Sequence, residues 1–504
     1  MTHPGLPISW VAVVTCSMLL LSAWSLRSVT APLGQMKNFN LADFPIIGRM
    51  IQVAIQNPLL LFLFKLASVA VFLLIITAGL FGTGVPERNI ATVFTWNIWW
   101  TGLIISVFFL GSAWCAICPW DALANWLVNK RLWRREKAGA SLNLRVPRWL
   151  RNVWPALFLL IGLSWMELGM GITINPYATA LLALLMVVMA TVSLAVYERK
   201  AFCRHFCPVG RTVGFYSQLA PVELRPIDAE ICAKCTTLEC YYGTEEVAPC
   251  PTHLVMGRLQ QNTYCTSCGN CAQSCPHQNI AWRLRPQSVE AIQEARPHWD
   301  EAWFMLILFS LTILHGFTMM PLYDNWVSDL AIVIGDSGQL VWSQLIFFVF
   351  CLVAPVAVYL LFITGTCLLN TEKVALKKVF SGLAFSVLPL GFAYHIAHNL
   401  NHLLREGVGF LSVLTNPLGV GTQPLSMMEK HLRYSQLLIP EELLFALQAG
   451  LLIFGFWISL KVIQHRGNRL FIHQNTAMIP MVIFSILITG FHLWLLSQPM
   501  IMRM

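Results

Sequence analysis

Apolar and polar positions alternate along this chain in blocks far longer than a soluble helix requires. Apolar stretches long enough to cross a hydrocarbon core of about 30 Å run near 8–26, 58–82, 91–114, 150–171, 177–196, 300–320, 341–366, 379–400, 441–461 and 476–497. The pattern predicts ten spans, five on each side of a polar interval. That interval, 197–297, breaks into short mixed segments too small for a large apolar core of their own. The chain therefore divides into 1–196, 197–297 and 298–504, and its fold class is a polytopic α-helical membrane protein with a small α+β insert.

Composition agrees. With 57% hydrophobic and 11% charged residues and 19 tryptophans among 504 positions, the chain is too apolar for an ordinary soluble protein. Lysine and arginine gather beside alternate loops, and the positive-inside rule orients the spans from them. Lys130, Arg131, Arg134, Arg135, Lys137, Arg145, Arg148 and Arg151 follow the third span, and Arg199, Lys200, Arg204 and Arg211 follow the fifth. The turn from Gly171 to Pro176 carries no charge. The insert is then expected in the cytoplasm of a bacterium and both termini outside its inner membrane. Met1 to Trp10 holds no lysine or arginine, so the first span reads as retained rather than as a cleaved signal. The net charge of +9 is carried mainly by the inner loops and calls for no nucleic-acid partner.

The insert carries the chemistry. Cys265, Cys268, Cys271 and Cys275 stand as C-x2-C-x2-C-x3-C followed by Pro276, the ligand run of a bacterial-type [4Fe–4S] ferredoxin. Upstream lie Cys232, Cys235 and Cys240, then Cys250 before Pro251. In two-cluster ferredoxins the fourth cysteine of each run serves the other cluster. That assigns Cys232, Cys235, Cys240 and Cys275 to one cluster and Cys265, Cys268, Cys271 and Cys250 to the second. Zinc knuckles are the competing use of paired cysteines. A module of this size is held by its metal centres, so loss of iron is expected to unfold it.

Two more pairs end spans on the insert side: Cys115 and Cys118 before Pro119, and Cys203 and Cys207 before Pro208. If the third and fifth spans are neighbours, four thiolates converge for a third cluster. Otherwise the pairs are redox dithiols, or helix-ending cysteines where proline stops the helix. These motifs, with Phe202 to Gly210 and the dicluster run, resemble membrane polyferredoxins of the NapH, NosR and CcoG type over about 90–286. The resemblance implies electron transfer between the quinone pool or cytoplasmic donors and periplasmic respiratory enzymes or metal-centre maturation. The first pair departs from the family's three-residue spacing, and no flavin-attachment signature precedes the spans.

The second block offers histidines. His315, His395, His398, His402 and His492 fall late in their spans, toward the outer face, with Glu167 late in the fourth. Ionisable groups inside spans are functional candidates. Haem b, a quinol site and a copper site assisted by Met319 or Met320 are open uses, with interfacial packing the bland one. The expected function is a lipid-embedded iron–sulfur electron carrier, possessing no catalytic acid or base and serving as a subunit of a quinol-linked oxidoreductase. It would connect quinone or a cytoplasmic donor to a periplasmic redox enzyme or cytochrome. Copper handling for respiratory-enzyme maturation and redox sensing are the rival functions.

Overall fold

The structure is a computed structural model that describes residues 2–27, 38–129, 141–370, 372–471 and 478–501. The basic run Lys130 to Lys137 lies outside the described residues.

The N-terminal half contains α1 (Ile8–Arg27), α2 (Ile47–Gln56), α3 (Pro58–Phe81), α4 (Ile90–Leu110), α5 (Pro119–Asn129), α6 (Trp154–Gly169), α7 (Pro176–Val196) and α8 (Pro208–Tyr216). Proline at the first or second helical position starts several of these. Asn57 caps α3 by accepting from Leu59 and Leu60, and Asn175 caps α7 by accepting from Ala178, satisfying amides that the helix cannot. Between Val93 and Trp99, α4 opens into a π-helical turn, a feature frequent at functional sites. The insert adds α9 (Ala229–Lys234), α10 (Glu239–Tyr242) and α11 (Asn270–Ser274). Beyond it come α12 (Trp299–Phe317), α13 (Pro321–Ile334), α14 (Val341–Leu369), α15 (Leu376–Leu383), α16 (Val387–Glu406), α17 (Phe410–Thr415), α18 (Met427–Ser435), α19 (Glu441–Leu470) and α20 (Ile479–Ser497).

Among the described residues, nine helical segments are long and apolar enough to span a membrane. The expected fourth span is the exception, since α6 has 16 residues and a length of about 24 Å. Strand β1 (Thr2–His3) pairs with β5 (Met500–Ile501), so the start of α1 and the end of α20 lie together. The polar interval after the sixth span is not a loop, because α13 occupies 321–334.

On the opposite side, β3 (Val222–Pro226) and β4 (Ile280–Leu284) pair antiparallel from Val222↔Leu284 to Pro226↔Ile280. Strand β2 (Phe39–Asn40), from the loop after α1, adds to β4, and α2 packs beside this sheet. The insert is thus completed by residues more than two hundred positions upstream.

Buried ion pairs hold the insert together, and an arginine of the second membrane block hydrogen-bonds to it. Arg285 bridges Glu223 at 3.0 Å and Glu290 at 3.0 Å, while donating to the carbonyls of Ser217 and Ala220. Burial works against ionisation of Glu223, but Arg225, Arg285 and Arg283 outweigh it and hold this carboxyl below its usual range. Arg466 of α19 donates to the carbonyls of Ala291 and Ala295. In the bilayer, α16 is the central helix, and α19 meets it where Gly455 lets the backbones approach.

Candidate functional site

Twelve of the cysteines form three groups. Cys232, Cys235, Cys240 and Cys275 line one small pocket, into which Asn279 donates from its side chain to Cys232 Sγ and from its backbone to Cys275 Sγ, both at 3.4 Å. Cys265, Cys268 and Cys250 surround Cys271 closely enough to act on its charge. Their loops curl through left-handed residues, Ser267 at φ 48° and Gly269 at φ 79°, which turns backbone amides inward: Ser267 N–H meets Cys265 Sγ at 3.4 Å and Leu254 N–H meets Cys250 Sγ at 3.3 Å. Cys118, Cys203 and Cys207 line a third pocket with Trp120, Asp121 and Lys200, and Cys115 is electrostatically coupled to all three. Proline at the start of α5 and α8 ends each preceding turn so that Cys118 and Cys207 face one another's segment.

The groups form a row. Cys240 and Cys271 are electrostatic neighbours, joining the first group to the second. Ser112 Oγ and Ser267 Oγ, at 2.8 Å, tie the Cys115 segment to the Cys268 loop. Lys200 pairs with Asp121 at 2.5 Å and is also acted on by Cys203 and Cys268. Burial pushes the Cys118 and Cys207 thiols up to about 12 and Cys265 to about 11. Bare thiolates are disfavoured there; a bound metal supplies the positive charge that deprotonates them.

Beyond the third group lies a cavity of about 430 Å³ between α3, α4, α6, α7, α12 and α16, a size suited to a small organic ligand. Its insert-side end is formed by Trp114, Pro119, Trp120 and Pro208 from the paired-cysteine segments. Its lining also includes Glu167 and His315, near the far ends of α6 and α12, and His395, midway along α16, and is otherwise largely apolar. Trp99 touches Trp114 and Trp120, with ring centroids 5.7 and 5.8 Å apart, and Trp100, at 6.0 Å from Trp99, reaches His395 at 5.9 Å. Tyr216 O–H approaches His395 Nδ1 at 3.4 Å.

A 4Fe-4S binding domain family matches residues 92–139 and 179–220. The paired cysteines therefore lie within the two stretches that are similar to that domain. This match contains Cys115, Cys118, Cys203 and Cys207, whereas the eight insert cysteines fall outside it. A relative from Escherichia coli K12, "Putative electron transport protein YccM", is 33% identical over 84 residues, which is 16% of this chain and 21% of that protein. The chain thus matches about a fifth of that relative's length. No solved structure matches the chain.

The cysteine groups fit iron–sulfur ligation better than zinc. Tetrahedral zinc, with Zn–S near 2.3 Å, holds its sulfurs about 3.8 Å apart. Among the described residues no three cysteine sulfurs all lie within 4.8 Å of one another. A cubane takes one thiolate at each of four iron corners and so spreads them wider.

Two axial imidazoles of a haem must face each other across a porphyrin, whereas His315 and His398 meet edge to face at 5.1 Å, so these two do not form such a pair. His492 stacks on Tyr394 at 4.3 Å, and His395 faces Tyr216 and Trp100. The five histidines separate into roles: His395 and His315 line the cavity, His398 and His402 continue from His315, and His492 packs among aromatic rings.

Sequence reasoning missed Trp96, Trp99 and Trp100, all three of which line the cavity. It also missed His3 and Glu406, buried beside His402. Glu406 falls four residues after His402, one helical turn, and that spacing was the available signal.

Proposed function

We propose that the chain is an electron relay of a bacterial inner membrane, in which three [4Fe–4S] clusters lead from a cytoplasmic insert to a quinone held in the bilayer cavity. Cys232, Cys235, Cys240 and Cys275 hold the outermost cluster; Cys250, Cys265, Cys268 and Cys271 the middle one; Cys115, Cys118, Cys203 and Cys207 the one at the membrane edge. The clusters supply one-electron steps when bound, and the residues around them position the thiolates, exclude water and donate hydrogen bonds to sulfur.

One observation carries this reading: a single cavity is lined both by Pro119, Trp120 and Pro208, which directly follow the third group's cysteines in the chain, and by Glu167 and His315. Tunnelling falls off exponentially with separation, so a row of neighbouring centres ending at the cavity favours transfer between them. The apolar walls suit an isoprenoid tail, each buried CH₂ contributing about 0.8 kcal/mol, while the ionisable lining groups suit a headgroup that exchanges protons. The electron-transport name of the Escherichia coli relative supports the class. The remaining partner is a redox protein or donor that docks on the insert side.

The test is anaerobic purification in detergent with iron and acid-labile sulfide analysis and quinol titration. Twelve iron atoms per chain, in the sense of about four per cluster, and reduction of clusters by a short-chain quinol are expected. Zinc in place of iron defeats the reading.

A further inference from the structure

We propose that the reaction separates charge: protons of the quinone couple pass through His315, His398, His402 and Glu406 to the side of the chain termini, while its electrons pass to the insert on the opposite side. The inference rests on the quinone reading of the cavity.

The cavity forces the question. Oxidation of a quinol breaks two O–H bonds and releases two protons and two electrons, the electrons entering two oxidised clusters one at a time. The protons need acceptors inside a largely apolar chamber, and its ionisable lining groups are Glu167, His315 and His395. A second, smaller cavity shares Glu167 and His315 with the first and continues to Asn399, His402 and Glu406. Along it, the His315 and His398 rings are 5.1 Å apart and the His398 and His402 rings 5.0 Å. His402 Nδ1 then meets Glu406 at 2.8 Å, and Glu406 lies 3.7 Å from His3 Nε2.

These groups all belong to the terminal side. His3 sits in β1, and α12 and α16 both run from the insert toward that side. Arg405, the neighbouring cation, is directed away to Glu441 at 2.5 Å, which leaves Glu406 facing the two histidines. Imidazoles accept a proton on one ring nitrogen and release it from the other, so a histidine file ending on a carboxylate is a competent path. Quinone reduction would run the same path inward. Buried ionisable residues are costly in a bilayer, and a structural role for this file would need only its hydrogen bonds.

The experiment uses the full cluster-loaded protein in sealed liposomes with a pH dye trapped inside, a short-chain quinol in the membrane and an impermeant one-electron acceptor outside. The acceptor selects molecules whose insert faces outward. The expected result is acidification of the lumen with two protons per quinol oxidised. Glu406→Gln and His402→Gln should slow lumen acidification and quinol-driven cluster reduction together by roughly tenfold or more, and Glu406→Asp should restore most of the rate. Reduction of the clusters by dithionite, with their resonance spectra, should be unchanged in all three, showing that the variants fold. Protons released only to the outer medium, or variants with wild-type rates, overturn the proposal. So does one equivalent of zinc or copper retained by His3, His402 and Glu406, whose ligand atoms lie within 4.8 Å of one another. Wild-type clusters that dithionite reduces but quinol does not would instead defeat the quinone reading itself, and the proton path with it.

Discussion

At the scale of single residues, hydrogen bonds to sulfur tune what each cysteine group can do. Asn279 gives Cys232 and Cys275 two of theirs. Hydrogen bonds to cluster sulfurs stabilise the reduced, more negative state, so Asn279→Ala should lower the reduction potential of the outermost cluster alone, read by resonance-monitored redox titration. At the membrane edge, Cys118→Ser should leave about eight iron atoms of about twelve, because the two insert clusters keep their ligands; a loss of all iron would contradict the grouping. Cysteine spacing made these residues legible in the sequence, since ligand runs are local and proline marks their ends. His3 and the tryptophans were not legible, because their significance comes from neighbours hundreds of residues away: Trp100 matters by facing His395, and His3 by a strand pairing with Met500.

At the scale of elements, the helices were readable from apolar length, and the differences have physical causes. The short α6 loses its ends to a proline start and a left-handed Gly171 after it, and α4 carries a π turn that hydropathy does not register. A close helix contact also hides in the sequence as an ordinary glycine. A Cβ at Gly455 would stand 2.5 Å from Ala393 Cβ and 2.7 Å from the Pro389 carbonyl. Gly455→Leu should therefore force α16 and α19 apart and destabilise the bundle by about 1–3 kcal/mol or more, measured by thermal unfolding in detergent. In the insert, Arg285→Met would leave Glu223 and Glu290 with one less buried partner each. Loss of a buried partner costs about 3–5 kcal/mol, so the insert should become protease-sensitive while the membrane helices stay intact.

At the scale of the whole molecule, the three cysteine groups belong to the insert and the first membrane block, and the second block adds α12 and α16, with His315 and His395, to the cavity beyond them. The fold was legible as a helical membrane protein, ten spans being expected and nine helices of spanning length standing among the described residues. The chamber was not, because it arises where α3, α4, α6 and α7 of one block meet α12 and α16 of the other. Most directly, the account stands or falls on rapid mixing of the anaerobically purified protein with a short-chain quinol, followed by freezing and electron paramagnetic resonance. Signals of reduced [4Fe–4S] clusters should appear within the turnover time, starting with the one lost in Cys118→Ser. Clusters that respond to dithionite but stay silent with quinol would contradict it.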